Sequence, residues 1–92
     1  MACMFVEYRI KTAEREAYLA WIGPIRDREG FRLLEGEDQP NLFVEIWETD
    51  GPESFARLKR ERKEERGGCW DPMEQWVEGG TAKVQMWLFR DV

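Results

Sequence analysis

The chain has 92 residues, enough for one domain (1–92) and not two. Charged side chains make up 36% of it and hydrophobic ones 42%, with five tryptophans, a balance that excludes a disordered chain. A formal charge of −5 works against nucleic-acid backbones and anionic membranes, and no apolar run is long enough to cross a bilayer, so we expect neither partner and a cytoplasmic location.

The N-terminus has no basic stretch followed by an apolar run of signal-peptide length. Two cysteines, Cys3 and Cys69, are too few for a disulfide scaffold. A domain of this size buries only roughly 60–65% of the surface its unfolded chain exposes, so self-association adds core that one chain lacks.

Met4 to Lys11 alternates with period two, which predicts a strand with Met4, Val6, Tyr8 and Ile10 on one face and Phe5, Glu7, Arg9 and Lys11 on the other. Thr12 is placed to cap the helix that follows, where Tyr18, Ile22 and Ile25 recur at helical spacing, flanked by Leu19 and Trp21. Gly23-Pro24 predicts a kink or break inside that helix, and Gly30 ends it. Phe31 to Gly36 reads as a short second strand, and Glu37 to Asn41 is turn chemistry. Leu42 to Glu48 is the third strand, joined to the second as an antiparallel hairpin.

Asp50 or Thr49 is expected to cap the next helix, with Pro52 in its first turn. Phe55 and Leu58, with Ala56 and the stem of Arg62, form its narrow buried stripe. The run from Arg57 to Arg66 interleaves cations with Glu61, Glu64 and Glu65 and reads as a solvated face. Gly67-Gly68 stops the helix. Asp71-Pro72 opens a short turn carrying Met73, Trp76 and Val77, Gly79-Gly80 stops it, and Ala82 to Phe89 is the last strand. Cys69 beside Trp70 reads as a small core residue, since no histidine exists to activate it.

Val6, Ile10, Val44, Ile46, Val84, Met86 and Leu88, with Tyr8, are expected on the sheet face that meets the helices. The opposite face would then hold Phe5, Glu7, Arg9, Phe43, Glu45, Trp47, Gln85, Trp87 and Phe89. Aromatics of that size left in water would form a large apolar patch, so something covers them. Two copies closing sheet to sheet would do so and enclose a chamber, with Glu7, Arg9, Glu45, Trp47, Gln85 and Trp87 around a small-molecule ligand.

The element order, the strand Phe43 to Glu48 with its central Trp47, and the short helix before the last strand resemble the dimeric α+β barrel superfamily. That superfamily includes antibiotic-biosynthesis-type, heme-degrading, muconolactone-isomerase-like and NIPSNAP-like proteins. The resemblance covers the whole chain and implies a ferredoxin-like βαββαβ α+β fold with an antiparallel sheet, pairing into a homodimeric barrel. In the heme-degrading branch a third-strand tryptophan, whose place Trp47 matches, precedes an iron-binding histidine on the next helix. The matching stretch, Phe55-Ala56-Arg57, has no histidine, and the only asparagine, Asn41, lies in a turn. No heme and no other cofactor is therefore expected. Related monooxygenases let the substrate itself react with oxygen.

The function expected from all this is a small-ligand-binding barrel protein, acting as a cofactor-independent monooxygenase-like enzyme on a small aromatic or polyketide-like compound. The alternative is a non-catalytic structural or regulatory homodimeric module. Glu7, Arg9 and Glu45 could form an acid–base group, but a buried ion-pair cluster that fixes dimer register is the commoner outcome. Trp47 and Trp87 suit either ligand stacking or interface core. With no histidine and distant cysteines, no metal site is expected. The one serine, Ser54, cannot form a histidine-dependent triad. RNA binding on an aromatic sheet ranks lower, because acidic side chains oppose phosphate.

Overall fold

A computed structural model of the chain describes residues 2–92. The elements run β1 (Ala2–Arg9), α1 (Arg15–Glu29), β2 (Arg32–Glu35), β3 (Leu42–Thr49), α2 (Pro52–Lys63), α3 (Met73–Trp76) and β4 (Gln85–Arg90). Single 3-10 turns at Thr12–Glu14 and Thr81–Lys83 lead into α1 and towards β4. The strands form one antiparallel sheet in the order β2-β3-β1-β4. This is the expected ferredoxin-like βαββαβ arrangement, with the helices against one face.

Several local expectations are corrected. α1 runs unbroken through Pro24. The carbonyl that proline deprives of a partner belongs to Ala20, and both residues lie on the exposed side, where water serves instead. Thr12 enters the 3-10 turn and does not cap α1. Neither Thr49 nor Asp50 caps α2; the residue before it is Gly51, at φ 146°, and Pro52 supplies the first position. Ala82 and Lys83 belong to the second 3-10 turn, so β4 starts only at Gln85. Cys69 is exposed and takes no part in the core.

The larger correction concerns β3. Residues directly opposite in an antiparallel pair share a face. Met4 stands opposite Trp47, Val6 opposite Glu45, and Tyr8 opposite Phe43. Phe43, Glu45 and Trp47 therefore lie under the helices, and Leu42, Val44 and Ile46 share the open face with Phe5, Glu7 and Arg9. Both sets on β3 carry large apolar side chains, so alternation alone did not show which points inward. The core joins Met4, Val6, Tyr8, Phe43 and Met86 of the sheet to Tyr18, Ile22 and Ile25 of α1, with Trp70, Met73, Val77 and Val84 from the stretch between α2 and β4.

A cleft on Trp47 backed by a buried ion pair

α2 is a weakly apolar helix whose one buried side chain is Arg62. Arg62 lies one turn beyond Leu58 and seven residues beyond Phe55, in the phase that points at the sheet. Its guanidinium donates from Nη1 to Glu45 Oε1 at 2.8 Å and from Nη2 to Glu45 Oε2 at 2.9 Å. The two side chains are 1% and 0% exposed. The guanidinium plane also stacks over the Trp70 ring, 3.6 Å from its centroid.

The Glu45 carboxylate accepts two further bonds. Trp47 Nε1 donates to Oε1 at 2.8 Å, and the Tyr8 hydroxyl donates to Oε2 at 2.6 Å. Each carboxylate oxygen thus takes one bond from arginine and one from an aromatic side chain. The Tyr8 proton being committed to Glu45, Tyr18 donates its own to the Tyr8 oxygen, at 2.6 Å. Burial raises the Tyr8 pKa well above the usual phenol value, and the neighbouring Glu45 charge adds to it. Burial also raises that of Tyr18. Both phenols therefore stay protonated as donors. Burial opposes the Arg62 charge, but the charge and hydrogen bonds of Glu45 outweigh it and the guanidinium is held in its cationic form. Among the described residues, every buried side-chain polar atom has a partner.

Trp47 links this network to solvent. One face of its ring stacks on Phe31 at 4.5 Å between centroids and 19° between planes. Trp47 also lines a cleft of about 710 Å³ between α2 and the neighbouring ends of the central strands β1 and β3, with Met4 beside it. Ser54, Arg57, Leu58 and Glu61 form the α2 wall, at helical spacing along one side. Glu29, at the end of α1, and Asp50 complete the rim.

The six residues expected around one chamber are divided between the two faces of the sheet. Glu45 and Trp47 belong to the helix side just described. Glu7, Arg9 and Gln85 lie on the open side, around a separate hollow of about 490 Å³ with Glu78 and Lys83. There Arg9 donates to Gln39 Oε1 at 2.9 Å and to the Pro40 carbonyl at 3.2 Å, and so does not reach Glu45. Trp87, 43% exposed, stands opposite Phe5 on the open face. Tyr8 and Tyr18 thus do more than fill the core, Arg62 contributes more than its stem, and Trp70 joins them with no role expected of it. The available signal was a cation in the inward phase of α2, matched to a carboxylate in one phase of β3. Among the described residues no group of three or more acidic or cysteine side chains is placed to hold a metal ion, and no helix is long and apolar enough to cross a membrane.

No protein-family model matches the chain, and no curated protein matches it by sequence. A provisionally assigned antibiotic biosynthesis monooxygenase from Nitrosomonas europaea aligns with a TM-score of 0.69 at 17% identity, over 100% of this chain and 99% of its own. The crystal structure of a protein from Agrobacterium tumefaciens aligns at 0.65, also with 17% identity, over 100% of this chain and 94% of its own. Over its whole length, then, this chain shares the ferredoxin-like fold of these two proteins.

Proposed function

We propose that this protein binds a small planar aromatic or polyketide-like compound in the cleft against Trp47, and that it works as a homodimer closed through the open sheet face. The observation that carries the reading is Trp47 itself. Its ring is fixed by Phe31 and Glu45 yet keeps part of its surface in a cleft of about 710 Å³. A rigid aromatic wall with a polar rim is the usual build of a small-molecule site. The monooxygenase-like fold supports the same direction, and in that reading a bound hydroxy-aromatic compound itself reduces dioxygen, one oxygen atom becoming the second carbonyl of a quinone and the other leaving as water with two hydrogens of the compound, without a cofactor. Exposed Trp87 and Phe89, together with Phe5, Val44 and Ile46, supply the apolar face that a second copy would cover.

The test is a titration of the protein with 1-naphthol and 1,8-dihydroxynaphthalene, followed by calorimetry and by the indole N–H signal of Trp47 in nitrogen-labelled protein. Saturable heat with a shift of the Trp47 signal supports the reading. Absence of both for either compound overturns it. Oxygen uptake in the same solution, compared with the compound alone, decides whether binding is accompanied by oxidation.

A further inference from the structure

A carboxylate and a guanidinium both removed from water carry a desolvation cost that their mutual attraction does not reliably exceed. Hydrophobic side chains of similar volume would often fill such a place with no loss of stability. The pair between β3 and α2 therefore calls for another explanation than stability, and its geometry supplies one. Glu45 and Trp47 are two residues apart on one strand and share a face. The indole N–H donates to the same oxygen that accepts from Arg62 Nη1. Rotating the Trp47 ring would break a hydrogen bond to a charged acceptor and its stack on Phe31 together. Glu45 is in turn held by the planar fork of Arg62, which rests on Trp70. No member of the Glu45–Arg62 pair is exposed to the cleft.

We infer that Arg62 and Glu45 are positioning residues: through the indole N–H they hold the Trp47 ring in the single orientation that presents it to a ligand in the cleft. Arg62 acts at two removes, through Glu45 and then Trp47, and touches no ligand. This rests on the reading of the cleft as a binding site, while the order of the ring is a property of the unliganded protein and is measured apart from it.

The experiment compares wild type with the double variants E45M/R62M and E45Q/R62M. In the first, two thioethers fill the space without charge and the indole N–H loses its acceptor. In the second, the glutamine oxygen restores an acceptor without restoring the ion pair. We expect E45M/R62M to fold, with a urea midpoint below wild type by no more than the lost Trp47 and Tyr8 hydrogen bonds to Glu45 account for. Its Trp47 indole signal should broaden or split, and its affinity for 1,8-dihydroxynaphthalene should fall by about tenfold, the scale of one charge-assisted hydrogen bond. E45Q/R62M should recover a single sharp signal and most of the affinity. A purely structural pair would move the urea midpoint and leave the folded protein's ring signal and affinity in place.

A sharp, wild-type-like Trp47 signal in E45M/R62M overturns the inference, as does unchanged affinity despite a loosened ring. If E45M/R62M fails to fold while E45Q/R62M folds, an acceptor at position 45 is required for the fold itself and the inference again fails. If wild type binds neither naphthol, the binding reading falls and takes with it the role toward a ligand. The indole spectra then still decide whether the pair orders the ring.

Discussion

Arg62 and Glu45 meet fork to fork across the gap between α2 and β3, with parallel bonds of 2.8 and 2.9 Å and no solvent on either side chain. Removing one partner leaves the other charge buried and alone. Arg62→Ala or Glu45→Ala should each cost about 3–5 kcal/mol of stability. The E45A/R62A change should cost far less than the two single costs added together. Urea denaturation of the four proteins closes the cycle, and additive losses would show that the pair is not coupled.

The open face makes a separate prediction. Trp87 and Phe89 are 43% and 50% exposed, so a charge there disturbs little within one chain. Trp87→Glu should change the stability of the isolated chain by no more than about 0.5 kcal/mol. It should also convert a wild-type dimer to a monomer, read as a halved mass in light scattering with an unchanged far-ultraviolet spectrum. A wild-type protein that is already monomeric at high concentration would refute sheet-to-sheet pairing.

Acid sensitivity should have a component at Glu35. Hydrogen bonds from Arg15, and then from the Asn41 backbone N–H, lower its pKa from 4.5 to about 2. A depressed folded-state value means that the contact stabilises fully above the unfolded value near 4.5 and loses that effect as pH falls toward 2. Arg15→Gln should lower the urea midpoint at about pH 6 and lower it much less near about pH 2, where the unfolded state is protonated and the folded carboxyl about half so. The pair lies at the surface, so salt should shrink the difference. An equal loss at both pH values would assign the effect of Arg15 to packing.

Gly80 sits at φ 77°, and a Cβ there would come within 2.7 Å of the Glu74 carboxylate. That carboxylate accepts from both the N–H and the hydroxyl of Thr81, at 2.9 and 2.6 Å, and so is not free to move away. Gly80→Ala should therefore cost about 1–3 kcal/mol, from left-handed backbone strain and the disturbed Thr81 bonds. A urea midpoint equal to wild type would show that the turn before β4 relaxes without cost.

The order of elements was legible because each rule involved is local. Period two marked β1 and β3, and the spacing of Tyr18, Ile22 and Ile25 marked α1, whereas α2 ends at Lys63 and α3 at Trp76, short of the glycine pairs expected to stop them. The kink expected at Pro24 shows the limit of such rules, since the lost bond fell on the wet side of α1, where its cost is small. The candidate site was only partly legible. Trp47 was singled out, but together with Trp87, from which the sheet separates it.

The sequence by itself determined that β3 has two dissimilar faces, because alternation follows from the pleat of a single strand. Which face turns inward was decided by tertiary structure. Strand pairing set Val6 opposite Glu45, and the burial of that carboxylate became tolerable only because α2 brings to it Arg62, seventeen residues later in the chain. An acidic residue read alone belongs in water; paired with a distant cation and two aromatic donors, it can lie at the centre of the fold, because each of its oxygens has there the bonds that water would otherwise provide.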